Sequence, residues 1–149
     1  MEKLFKRSMT LLICTFVVCL CANAGNDKVI SFSQLPAAAK QVVKKNFAGK
    51  TVALVKMESE LTGKSYEVIF NSGDKIEFDR NGNWTDISCK SSQVPALLVP
   101  SAIKNYVHKN YPNAAIKSIE KDRRGYEIKL SNRLEITFDK NFKVTDIED

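Results

Sequence analysis

Lys75-Ile76-Glu77-Phe78-Asp79-Arg80-Asn81-Gly82-Asn83-Trp84-Thr85-Asp86-Ile87 returns further along the chain as Glu135-Ile136-Thr137-Phe138-Asp139-Lys140-Asn141-Phe142-Lys143-Val144-Thr145-Asp146-Ile147. Both copies alternate apolar and polar residues, reach Asp-x-Asn, and resume with Thr-Asp-Ile. That is the pattern of two strands joined by a tight turn. Upstream, Tyr66-Glu67-Val68 answers Tyr126-Glu127-Ile128, and Leu35-Pro36 answers Val99-Pro100. The first copy carries extra residues around Ser59 to Ser65, so residues 35 to 87 recur at 99 to 147. An internal repeat of this length means that one supersecondary unit has been used twice.

Each unit opens with a helix signal. Ser33 is the expected N-cap, Pro36 falls in the first turn where its missing N–H costs nothing, and Leu35, Ala39, Val42, Val43 and Phe47 form one apolar stripe. Pro100, Ile103, Val107 and Tyr111 repeat it, with Gly49 and Pro112 as the stop signals. Four strands follow in the first copy: Val52 to Glu58, Tyr66 to Phe70, Lys75 to Asp79 and Trp84 to Ser88. Thr62-Gly63, Ser72-Gly73-Asp74 and Asn81-Gly82 supply the turns between them. The fold class expected is α+β, two tandem repeats of one helix plus a four-stranded antiparallel sheet. The repeats span 25–90 and 91–149, and the short polar linker Lys90 to Pro95 suits two halves of one compact body that share a sheet or pack side by side.

Residues 1–24 read as a signal peptide. Lys3, Lys6 and Arg7 precede an apolar run from Met9 to Leu20, and Ala22-Asn23-Ala24 has the small-x-small cleavage pattern. The run is short for a membrane span, which needs about 20 apolar residues. Cleavage after Ala24 predicts a periplasmic or secreted protein with no stable membrane insertion. Lipidation at Cys21 is the competing fate, against which Leu20 stands where a small residue is expected. Cleavage also removes Cys14, Cys19 and Cys21. Cys89 then has no partner for an internal disulfide and reads as a half-buried structural thiol, with intermolecular pairing as its other use.

The net charge of +6 falls by two when the leader goes, and the remaining basic residues are interspersed with acidic ones. That distribution argues against a nucleic-acid footprint. His108, the one histidine, has no Cys, Asp or Glu at ligand spacing and aligns with the surface residue Lys44. Asp79-Arg80-Asn81-Gly82-Asn83 resembles the start of a calcium loop, but its Gly is fourth instead of sixth and Lys90 stands where a bidentate Glu is required. It reads as a hairpin turn. With no nucleophile elbow, phosphate loop or HExxH motif, no catalytic residue, cofactor site or metal site is predicted, and the chain does not read as an enzyme.

The run Tyr66-Glu67-Val68, then Gly73-Asp74-Lys75-Ile76-Glu77-Phe78-Asp79-Arg80-Asn81-Gly82-Asn83-Trp84, together with Val99-Pro100, Tyr111-Pro112 and Gly125 to Asn132, resembles the PepSY-like family of exported bacterial proteins. That family is grouped with the β-lactamase-inhibitor-like fold and is common in Bacteroides-type bacteria. The resemblance covers about residues 29 to 149 and implies tandem helix-plus-four-strand repeats and a periplasmic or surface location. It carries over no active-site motif. Asn132-Arg133 stands where the family usually has Asn-Gly, which predicts a different turn in that hairpin.

The function expected is that of a non-catalytic exported binding module whose partner is another envelope or secreted protein. The resemblance implies an inhibitor of a protease or hydrolase acting through the exposed sheet face; a structural or envelope-sensing accessory to a membrane signalling system is the alternative. Alternation puts Glu67, Lys75, Glu77, Lys129 and Glu135 opposite the buried stripe, as polar contacts for a partner. Trp84 is the candidate anchor: its counterpart is Val144, so a smaller residue suffices for the core there, and Trp is the type most enriched in binding hot spots. Capping one edge of the core is the other use for it.

Overall fold

The computed structural model describes residues 27–149, so the predicted leader, its cleavage site, Cys14, Cys19 and Cys21 lie outside the described residues. The elements in chain order are β1 (Lys28–Val29), a 3-10 turn (Phe32–Gln34), α1 (Ala37–Asn46), β2 (Val52–Glu60), β3 (Gly63–Phe70), β4 (Lys75–Phe78), β5 (Trp84–Ser88), α2 (Ser101–Asn110), β6 (Ile116–Lys121), β7 (Gly125–Leu130), β8 (Glu135–Asp139) and β9 (Val144–Glu148). All nine strands form a single antiparallel sheet, ordered β1 to β9 as in the chain.

This corrects the expected fold class. The sequence predicts two tandem repeats, each a helix with a four-stranded sheet; the described residues instead build one continuous nine-stranded sheet, with one helix from each repeat. The joint is the pairing of β5 with β6, through Asp86↔Glu120, Ile87↔Ile119 and Ser88↔Ser118. Two separate four-stranded sheets would leave two more edges with unpaired backbone N–H and C=O groups, whereas joining them satisfies both rows and buries Ile87 and Ile119 completely. Duplication in the sequence marks repeated strand patterns. It does not mark where a sheet stops.

One sheet face carries Val55, Val68, Phe70, Ile76, Phe78, Ile87, Ile119, Ile128, Leu130, Ile136 and Phe138, all buried in one cluster with Ala39 and Val43 of α1 and Ile103 and Val107 of α2. Phe47 stacks on Phe70 at 5.0 Å, and Tyr106 meets Phe138 edge-on at 5.4 Å, so each helix is fixed by an aromatic contact. Ser33 does not cap α1. It lies inside the 3-10 turn, and Pro36 takes the cap position, its carbonyl accepting from the Lys40 N–H at 3.1 Å.

The Asp79 turn is the expected hairpin turn: its Oδ1 accepts the N–H groups of Asn81 at 2.8 Å and Asn83 at 2.9 Å. Asp139 repeats this with Asn141 at 2.8 Å and Lys143 at 2.9 Å. The change of turn expected at Asn132-Arg133 does not occur. Arg133 holds φ 76° where Gly73 holds 81°, and Phe142 holds 60° where Gly82 holds 85°.

Candidate functional site

The face of the sheet opposite the helices carries the polar half of the alternation. Pairing across β2 to β9 aligns its residues into rows. One row runs Lys56↔Glu67↔Glu77↔Asp86↔Glu120↔Glu127↔Thr137↔Asp146. Five consecutive members, on β3 to β7, are carboxylates. The next row runs Ile69↔Lys75↔Ser88↔Ser118↔Lys129↔Glu135↔Glu148.

Like charges directly opposite one another on adjacent strands destabilise a sheet. At the β3 end they are offset: Lys75 Nζ lies 3.1 Å from Glu77 and 3.5 Å from Glu67, and Lys56 Nζ lies 3.6 Å from Glu67. Burial alone would lower the Lys75 pKa, but Glu77 and Glu67 hold it above the ordinary lysine value. At the centre the offset is incomplete. Burial, followed by repulsion from Glu77, pushes the Asp86 carboxyl up to about 6 against the pull of Lys75, with Glu120 and Glu67 adding to the rise. Asp86 Oδ1 is buried without a hydrogen-bond partner. Glu127 is likewise raised, by burial first and then by Glu135 and Glu120. A depression of about 360 Å³ adjoins the far end of the row, against Glu120, Asp122, Glu127, Thr137 and Thr145.

The structure therefore brings Glu67, Lys75 and Glu77 into one ion-paired group on the open face. Lys129 and Glu135 form a second ion pair on the same face, two strands beyond the β5–β6 joint. Trp84 is not with them. It pairs with Phe78, lies on the helix side of the sheet, and packs half-buried against the core cluster, with Lys121 Nζ 4.4 Å from the ring centroid. The irregular register step between Glu77 and Phe78 pairs Phe78 with Trp84 and leaves Thr85 as the extra residue, so Trp84 takes the core-edge place and not that of an anchor on the exposed face.

Sequence reasoning missed Asp86, Glu120 and Glu127. Their strand parity was legible, but the β5–β6 pairing that aligns Asp86 with Glu120 was not. Cys89 is buried and unpaired, and burial raises its pKa above the ordinary thiol value, so it is a packed residue more than a reactive one. His108 is exposed in the last turn of α2. Among the described residues no group of three or more His, Cys, Asp or Glu side chains is placed to hold a metal ion. Nor is any helix among them long and apolar enough to cross a membrane.

Residues 64–146 match the family model described as "Putative beta-lactamase-inhibitor-like, PepSY-like". A solved "putative periplasmic protein" of the DUF2874 family from Bacteroides vulgatus is 50% identical, with a TM-score of 0.82 over 85% of this chain and 99% of that one. A "putative calcium-regulated periplasmic protein" from Bacteroides thetaiotaomicron is 48% identical, with a TM-score of 0.81 over 83% of this chain and 98% of that one. A third, described as a "putative periplasmic protein of unknown function" from Bacteroides vulgatus, is 36% identical, with a TM-score of 0.77 over 83% and 99%. Among curated proteins none matches. No catalytic family is indicated by these descriptions, and their description as periplasmic places this chain in the periplasm. On the family match and the extent of these likenesses, the chain belongs to the PepSY-like, beta-lactamase-inhibitor-like family.

Proposed function

We propose that this is a non-catalytic binding module of the periplasm that receives a protein with a cationic surface on its open sheet face, and that it inhibits an envelope hydrolase or protease in doing so. The observation that carries this reading is the row Glu67, Glu77, Asp86, Glu120 and Glu127, five carboxylates opposite one another across five adjacent strands. Such a row weakens the sheet by about 0.2 to 1 kcal/mol for each unfavourable pair. Local rules are broken in this way where a functional surface needs it. A positively charged partner would relieve the repulsion on docking, and the same field would steer its approach. The sheet presents these groups from rigid strands, so little ordering cost opposes binding. The inhibitor-like family description supports the enzyme-blocking form.

Affinity capture from an envelope extract, with the protein and its E77Q/D86N/E120Q variant as parallel baits, tests the proposal. The expected result is a hydrolase or protease held by the wild type in equimolar amount, inhibited by it, and lost from the variant. Equal capture by both baits would remove the acidic row from the function. Capture of a membrane signalling protein in place of a hydrolase would replace inhibition by an accessory role.

A further inference from the structure

β5 and β9 are copies of one strand, and each pairs with the strand before it in the same way. Ile76↔Ile87, Glu77↔Asp86 and Phe78↔Trp84 correspond to Ile136↔Ile147, Thr137↔Asp146 and Phe138↔Val144, with the same irregular step before the last pair. What lies on the other side differs. β5 is covered by β6, and Ile87 is fully buried; among the described residues no strand lies beyond β9, and Ile147 is 44% exposed. β9 thus presents outward backbone groups in the geometry that, in its copy, takes a strand.

We infer that β9 is a strand-addition site for an extended basic segment of a partner protein, in which lysine or arginine alternates with an aliphatic residue. The internal pairing supplies the register. An aliphatic side chain would stand opposite Ile147 as Ile119 stands opposite Ile87, and the residues on either side of it would face Asp146 and Glu148 on the open side of the sheet. The charge of the edge selects the occupant. Where β5 has Ser88 and then Cys89, β9 has Glu148 and then Asp149. An antiparallel β9–β9 contact centred on Ile147 would set Asp146 against Glu148 twice, so the acids that admit a cationic strand oppose a second copy of this chain. Main-chain hydrogen bonds would supply affinity, and the alternating side chains the register. This edge is distinct from the centre of the acidic row, which meets it only at Asp146.

Titrating the protein with a seven-residue peptide of alternating lysine and isoleucine, read by amide hydrogen exchange and NMR shifts, tests the inference. Slowed exchange and shift changes should be confined to Val144–Glu148 and their pairing partners. Binding should weaken by about tenfold or more when the peptide is N-methylated at the amides along one edge, which keeps its charge and removes its donors. The D146K/E148K variant should lose the basic peptide and accept one with glutamate in place of lysine. Equal binding of the N-methylated peptide would overturn the inference, since charge attraction alone would then be at work. Shift changes centred on Glu77 and Asp86 would overturn it too, as would a β9-mediated dimer that the peptide does not dissociate.

Discussion

Asp74 and Leu134 occupy the same place in the two copies, the residue after the turn between the second and third strands of each. In the second copy Leu134 is half-buried and packs against the core. In the first, Asp74 is fully buried and ion-paired to Lys50, and it accepts hydrogen bonds from the Ser72 hydroxyl at 2.9 Å, the Ser92 hydroxyl at 3.0 Å and the Ser91 N–H at 3.2 Å. Lys50 also donates to Ser92 Oγ at 2.6 Å, and Lys117 of β6 donates to the Ser92 carbonyl. The same backbone turn thus serves two ends. In the first copy it fastens the linker that carries the chain from β5 to α2; in the second, the aliphatic Leu134 packs against the core instead.

Importing the second copy's solution into the first should do the most damage. Asp74→Leu leaves Lys50 without its partner in a half-buried place and unties Ser91 and Ser92, and breaking a buried pair on one side costs about 3 to 5 kcal/mol. Because Lys50 retains some solvent contact, the lower end is expected, read as a fall in the urea midpoint with unchanged slope. A loss below about 1 kcal/mol would show that the linker is held by Val94 and the sheet alone. pH gives a second reading. Burial alone would raise the Asp74 pKa, but the bonds from Lys50, Ser72, Ser91 and Ser92 hold it well below the ordinary carboxylate range. Its contribution is therefore complete above about pH 4 and is lost as pH falls further toward the folded value. The variant should lack this loss on acidification.

Asp86 and Asp146 sharpen the comparison at smaller amplitude. They are copies of each other, yet Asp86 lies inside the acidic row with strands on both sides, while Asp146 is exposed on the edge strand. The Asp86 pKa of about 6 lies above the ordinary carboxylate value. As pH rises from about 4 to about 6 the unfolded carboxyl gives up its proton first, so Asp86 makes the fold less stable across that window. Asp86→Asn should raise stability by about 1 kcal/mol at pH 7 after allowance for solvent screening, and leave it unchanged below about pH 4. Asp146→Asn, on the exposed edge strand, should change stability by less than about 0.5 kcal/mol. Chemical denaturation at the two pH values checks both, and equal effects from the two variants would show that the β5–β6 joint does not set the charge environment.

That joint is also where legibility ended. Strand positions, the helix stripes and the Asp79 turn could be read from alternation and turn chemistry, because these are local signals. Whether the copies share a sheet or pack side by side could not, since pairing of β5 with β6 is a contact between segments separated by all of α2 and its flanking loops. Of the candidate site, Glu67, Lys75, Glu77, Lys129 and Glu135 were legible by parity alone and do share the open face. Trp84 was misplaced by a one-residue register step, which moves a side chain to the other face of a sheet. Asp86, Glu120 and Glu127 became a site only through the cross-sheet alignment. Asp74 was read as part of a turn, because nothing nearby in sequence announces Lys50, Ser91 and Ser92 as its partners.

A last contrast concerns the two hairpins that use glycine in the first copy and larger residues in the second. Gly73 and Arg133 share a left-handed backbone, at φ 81° and 76°. That conformation costs a side-chain-bearing residue about 1 to 2 kcal/mol, while glycine gives back part of the gain through the greater freedom of its unfolded chain, about 0.4 to 1 kcal/mol. Arg133→Gly should therefore stabilise the protein by about 0.5 kcal/mol. Phe142, at φ 60° opposite Gly82, should not follow it. Its ring stacks on Tyr126 at 5.4 Å, and Phe142→Gly surrenders that contact along with the strain. The reverse exchange is blocked, because a Cβ on Gly82 would stand 2.8 Å from the Ala39 backbone nitrogen and 2.9 Å from Pro36 Cβ, at the start of α1. Gly82→Ala should thus be destabilising by about 2 kcal/mol, where an unobstructed left-handed site would lose only about 1. Thermal melts of these three variants and of Gly73→Ala rank them. A Gly82→Ala loss no larger than that of Gly73→Ala would mean that α1 yields at its N-terminus, and that the first hairpin is not the close seat for the helix that its spacing implies.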